Sequence, residues 1–412
     1  MDTQQELAPR SIQRGDYRPP AYAIDSVELD FQLDAAATVV TARLVLHRAA
    51  EGPLRLDGDG LTLVEAHWDG VAIPPERLSF GTDGALTILA APDAGLLETV
   101  VRIAPEKNTE LSGLYTSGGN FYTQCEAEGF RRITFFPDRP DVMTRFTVTL
   151  TADKARVPVL LSNGNPDGAG DLPDGRHWAR WVDPHPKPSY LFALVAGDLV
   201  AVSDRFTTAG GRDVALNIWV RRGDEDRCAH AMDSLIRSMK WDEEVFGLEY
   251  DLNVFNIAAV SDFNMGAMEN KGLNVFNTKY VLADAETATD GDYDGIEGVI
   301  AHEYFHNWSG NRVTCRDWFQ LSLKEGFTVL RDQLFSQDMR GEAVKRIEDV
   351  RLLRSVQFPE DSGPLAHPIR PDSFREIGNF YTSTVYNKGA EVIRMMRTMA
   401  GPEAFRKGTD LY

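Results

Sequence analysis

From about Tyr22 to Val200, apolar and polar positions alternate in short runs such as VELDFQLDAAATVVTARLVLHRA and TRFTVTLTADK, each broken by Gly, Asp or Pro. Alternation sends successive side chains to opposite faces of a strand, so this half of the chain is predicted to be β-rich. From roughly Asp224 the period lengthens, and DEDRCAHAMDSLIRSMKWDEEVFG spaces its apolar positions as a helix does. A β-like interlude, LNVFNIAAVSDFNMGAMENKGLNVFNTKYVL, precedes a mostly helical remainder. These changes place a boundary near Leu199, giving a β-rich domain over 1–198 and a second domain over 199–412. Gly401-Pro402 opens a last helical stretch, EAFRKGTDLY, with nothing after it to pack against, the pattern of a truncated chain. No repeat or low-complexity tract is visible.

Composition narrows the function classes. At 412 residues, 43% hydrophobic and 25% charged, the chain has apolar mass for two or three domains. Forty-three Lys plus Arg against 62 Asp plus Glu leave a net charge of −19, without the basic footprint of a nucleic-acid binder. The opening MDTQQELAPRSIQRGDYRPP has no apolar run flanked by basic residues, and no 18-residue apolar stretch occurs anywhere. A cytoplasmic protein with neither membrane nor obligate protein partner is expected. Cys125, Cys228 and Cys315 are odd in number and far apart, which suits a reducing compartment and neither a disulfide framework nor a Cys-based zinc knuckle.

The chemistry lies in His302-Glu303-Tyr304-Phe305-His306, an H-E-x-x-H pattern within the apolar-periodic stretch GIEGVIAHEYFHNW. On a helix, residues four apart share a face, so both imidazoles can reach one zinc ion while Glu303 projects beside it. A catalytic zinc needs a third protein ligand. Glu325, 19 positions after His306 in QLSLKEGFTVLRDQLF, is the candidate, on a second helix after the loop SGNRVTCRD. A lone Glu there would ordinarily be a solvated residue paired with Lys324 or Arg331; the upstream motif argues otherwise.

With GAMEN (Gly266–Asn270) upstream, this spacing resembles the gluzincin M1 zinc aminopeptidases, and most nearly their bacterial branch. The stretches YTQCEAEGFRRITFFPDRPDV, HEYFHNWSGNRVTCRDWFQLSLKEG and FYTSTVYNKGAEVIRM extend the likeness from about Asp16 to Tyr412. The resemblance implies an α+β multidomain fold: an N-terminal antiparallel β-sandwich or saddle-like domain, then an incomplete thermolysin-like α/β catalytic domain. It implies one zinc ion on His302, His306 and Glu325, with Glu303 as general base and Tyr386 as hydrogen-bond donor to the oxyanion. The substrate would be a peptide with a free N-terminus. Glu269 and Glu126, with Gln124, would fix its ammonium group; a strand would place Gln124 and Glu126 on one side and Cys125 on the other. Gly266 would leave room for a substrate backbone, Ala267 and Met268 would pair with it, and Asn270 would complete the motif. Met265 and Tyr381 would line the first side-chain pocket.

Two departures stand out. Family members continue for several hundred residues with a small β-domain and a helical C-terminal domain. The bacterial sequences read VYEKGAEV where this chain has Asn387 beside Tyr386. Other signals carry less. The Asp290–Gly295 run starts like an EF-hand but has Ala301 at the twelfth position, so its acids are read as complementing the N-terminus of the metal helix. The sequon Asn307-Trp308-Ser309 lies at the end of that helix and is expected to stay unmodified. Three readings follow: a zinc aminopeptidase, a zinc endopeptidase, and a catalytically silent zinc-binding fragment.

Overall fold

The computed structural model describes residues 11–412; the first ten, part of the stretch searched for a leader and of the 1–198 domain, lie outside the described residues. Contacts divide the chain into two compact units, Pro20–Thr314 and residues 11–19 with Cys315–Tyr412.

In the first unit the alternating runs form strands as expected. An eight-stranded sheet runs in the order 165–171, 176–187, 144–153, 22–32, 38–48, 94–103, 62–68, 71–72. Neighbours are antiparallel except 144–153 on 22–32, which pair in parallel. Burial alternates along 22–32 and 38–48, and the inward residues meet Phe130, Phe136, Phe146 and Phe192, whose rings pack edge to face at 5.2–6.0 Å around Phe130. Antiparallel strands 113–117, 120–124, 194–197 and 159–162 form a second sheet.

Val200–Thr207 begins a different, five-stranded mixed sheet, ordered 200–207, 213–220, 254–260, 273–277, 267–268. Its inner strands Val254–Val260 and Leu273–Asn277 are parallel and almost wholly buried. The two-residue strand Ala267–Met268 forms one edge. Helix α1 (Ala229–Phe246) and helix α2 (Asp290–Phe305) pack together through Trp241 on Phe305 and an ion pair of half-buried Arg237 with buried Glu297.

The second unit is helical, as the sequence pattern predicted. It comprises α3 (Leu321–Arg340), α4 (Glu342–Leu352), α5 (Phe358–Asp361), α6 (Gly389–Ala400) and α7 (Pro402–Leu411). Helices α3 and α6 meet where Gly326 faces Gly389: a Cβ on Gly326 would lie 2.8 Å from the Gly389 carbonyl carbon. Ile12–Gln13 pairs with Ser373–Phe374 at this unit's margin.

Candidate active site

Helix α2 starts with a capping box. Asp292 N–H donates to Thr289 Oγ1 at 3.3 Å, and Thr289 N–H donates to Asp292 Oδ2 at 2.8 Å. The acidic run therefore begins the helix rather than a calcium loop. At the other end the helix closes at Phe305, and His306, its C-cap, keeps helical angles (φ −59°, ψ −19°). His302 and His306 consequently present their Nε2 atoms 3.0 Å apart, with ring planes at 83°. His306 Nδ1 lies 2.8 Å from the Ser309 carbonyl oxygen, which can only accept, so the proton sits on Nδ1 and Nε2 keeps its lone pair. Two imidazole nitrogens converging on one point suit a shared cation, and the residues present in this unit fit a metal ion. Glu303, between them, is 6% exposed.

The same unit draws the other motifs to this helix end. Asn311 Nδ2 donates to the Glu269 carbonyl at 2.9 Å, linking GAMEN to the turn that follows His306. Lys271, next in the chain after Asn270, is buried and donates to Asn307 Oδ1 at 2.8 Å and to Asp251. Asp251 is also held by Arg312 and accepts from Asn307 Nδ2 at 3.3 Å. Asn307 is thus buried and engaged by Lys271 and Asp251. Spacing gave no signal for Ser309, Asn311, Lys271 or Asp251; only the folded turn reveals what they hold.

Gln124 ends the strand Asn120–Gln124, so Glu126 lies beyond the strand. The alternation that would have put the two on one side stops at Gln124, whose side chain donates to the Glu126 carbonyl at 3.3 Å. Cys125 does point away, into the apolar core, and burial pushes its thiol well above the usual range. Gln124 Nε2 also donates to Met265 Sδ at 3.0 Å, bringing two predicted substrate residues into contact, while Gln124 Oε1 is buried with no partner among the described residues. Gly266 is exposed, and a Cβ there would lie 3.1 Å from the Tyr280 ring, a tight contact. Ala267 is half-buried; Met268, Glu269 and Asn270 are buried.

In the helical unit, Glu325 sits in the first turns of α3, 2% exposed, with Lys324 Nζ 2.8 Å from its Oε1. Tyr386 lies in a π-helical turn, Thr384–Lys388, that leads into α6; such turns recur at functional sites. Glu360 accepts from Thr384 N–H at 2.7 Å and fixes the start of this turn. Tyr386 packs with Val329, Leu330 and Ala390, and its ring is 6.5 Å from that of Tyr381. Asn387 Oδ1 accepts from Ser383 Oγ at 2.7 Å.

A mixed sheet followed by a helix with two converging imidazoles, one of them tautomer-fixed by a backbone carbonyl, is the framework of a metallopeptidase domain. Models of the Peptidase M1 N-terminal domain and the Peptidase family M1 domain match residues 91–191 and 230–412, and the chain belongs to peptidase family M1. It is similar to aminopeptidase N of Caulobacter vibrioides, 59% identical over 407 residues, covering 98% of this chain and 47% of that protein. It is 58% identical over 406 residues to aminopeptidase N of Escherichia coli, covering 98% of this chain and 46% of that protein. Among solved structures, Legionella pneumophila aminopeptidase A in complex with aspartic acid matches with a TM-score of 0.90 at 33% identity, covering 97% of this chain and 46% of that one. The chain thus spans under half the length of these relatives. Among the described residues no helix is long and apolar enough to cross a membrane.

Proposed function

We propose that this chain carries the zinc centre and the substrate-recognition elements of an aminopeptidase that removes single residues from the free N-termini of peptides in the cytoplasm. The observation that carries this reading is the convergence of the His302 and His306 Nε2 atoms, with the His306 proton fixed on the opposite nitrogen. His302, His306 and Glu325 hold the ion. Bound zinc supplies Lewis acidity, polarising a carbonyl and bringing the pKa of water to about 7.

Glu303 takes the proton of the attacking water and delivers it to the departing amine. Tyr386 donates its phenolic hydrogen to the developing oxyanion. Glu269 and Glu126, with the buried acceptor Gln124 Oε1, bind the substrate ammonium group, which restricts cleavage to the first residue. The edge strand Ala267–Met268 offers backbone groups for pairing with the peptide, past Gly266 and with Asn270 behind it. Met265 and Tyr381 line the first side-chain pocket. The change of sheet at Val200 supports a catalytic domain over 199–412.

A second reading is a zinc-binding chain of this family that does not turn over. The test is release of chromophore from an alanyl 4-nitroanilide by the zinc-loaded chain and by Glu303→Gln, with an N-acetylated substrate alongside. The aminopeptidase reading expects hydrolysis of the free amine only, lowered by about 10²–10⁴-fold in Glu303→Gln. Equal rates in both chains remove Glu303 from the mechanism. Cleavage within a blocked peptide identifies an endopeptidase, and stoichiometric zinc with no hydrolysis identifies the silent fragment.

A further inference from the structure

The segment between Val260 and Gly266 leaves the five-stranded sheet, carries Met265, and is held from outside that sheet. Tyr115 O–H donates to the Asp262 carbonyl at 2.8 Å, and Ser117 Oγ donates to Asp262 Oδ2 at 2.5 Å. Arg221 Nη2 donates in turn to Ser117 Oγ at 3.3 Å. Tyr115 and Ser117 are 0% and 2% exposed, on the rigid strand Gly113–Ser117 of the four-stranded sheet. Gly118, next in the chain, has φ +55°, a left-handed backbone that favours glycine. Further along the loop, Asn264 Nδ2 donates to the Leu111 carbonyl at 3.4 Å and Gln124 Nε2 donates to Met265 Sδ. At its far end Asn277 N–H donates to the Gly266 carbonyl at 2.9 Å.

We propose that Ser117 and Asp262 form a clamp that positions the 261–266 loop, and that this clamp sets which first residues the substrate pocket accepts. The inference rests on the reading of Met265 as a wall of that pocket. The physical basis is leverage. Met is flexible and adapts to what it packs against, so its usefulness as a pocket wall depends on where its backbone is held. Asp262 is exposed and three residues from Met265; beside the buried Phe263 it is held by the Tyr115 and Ser117 hydroxyls. A loosened loop withdraws packing from a large first side chain more than from a small one. Ser117 and Asp262 are positioning residues: they act on the substrate through Met265.

The test uses the 412-residue chain with Ser117→Ala, Asp262→Ala and Asp262→Asn. Two quantities are read: native-state hydrogen exchange of the 261–266 amides, and the ratio of kcat/KM for leucyl over alanyl 4-nitroanilide. The two alanine variants are expected to speed loop exchange about fivefold, as loss of one hydrogen bond does. The leucyl-to-alanyl ratio is expected to fall at least ~3-fold while kcat on the alanyl substrate stays within about twofold. Asp262→Asn, whose amide oxygen still accepts from Ser117, is expected to match the parent. Unchanged exchange and an unchanged ratio in the alanine variants overturn the clamp, as does an Asn variant as loose as Asp262→Ala. If the parent chain hydrolyses neither substrate, the aminopeptidase reading fails by itself, and loop exchange alone then decides for or against the clamp.

Discussion

Asp251, half-buried, shows how much can rest on one charged residue. It collects Lys271, Arg312 and Asn307 behind the end of the histidine helix, and His185 Nε2 stands 3.4 Å away. Burial pushes its carboxyl upward, but the Lys271 ammonium and the Arg312 guanidinium outweigh it and hold the group below its ordinary value of 3.8. A carboxylate depressed in the folded state contributes stability at every pH above its unfolded value; that contribution is lost as pH falls through the native value. Urea unfolding of the parent is therefore expected to lose stability on acidification below about pH 4 more steeply than Asp251→Asn. At neutral pH the variant is expected to be less stable by about 3 kcal/mol, because Lys271 stays buried beside a neutral amide. Parallel pH profiles would contradict the pairing. None of this was legible in the sequence, where Asp251 and Lys271 are an ordinary acid and base 20 positions apart. His302, Glu303 and His306 were legible because four-residue spacing on a helix is a local geometric fact.

Among the elements, strands, helices and the capped start of α2 follow from period and punctuation, and the structure agrees with them. What period missed was where an element stops. Glu126 falls beyond the strand that ends at Gln124, and Tyr386 occupies a π-helical turn that no residue pattern in TVYNK announces. That turn is held against α3 through a contact of two glycine backbones, visible only after folding. Gly326→Ala would place a Cβ 2.8–3.0 Å from backbone atoms of Gly389 and Ala390, which cannot move aside as a flexible side chain does. A destabilisation of about 1–3 kcal/mol is expected, read as a lower urea midpoint. A fully stable Gly326→Ala would show that the α3–α6 approach is looser than the structure has it.

Across the whole molecule, local sequence set the class of each unit, while the family relation came from motifs scattered between Gln124 and Tyr386. The surplus of acid, −19 over 412 residues, belongs to this scale and disfavours contact with a phosphate backbone. The proposed zinc centre belongs here too, since the residues that would hold it come from distant stretches of the sequence. Loss of one ligand from such a site is expected to lower its affinity for the ion. The most direct measurement is zinc content per chain after dialysis, for the parent and for folded His306→Ala and Glu325→Ala variants. The account predicts about one zinc in the parent and little in either variant. A parent that binds none, or a Glu325→Ala chain that retains its zinc in full, would contradict it.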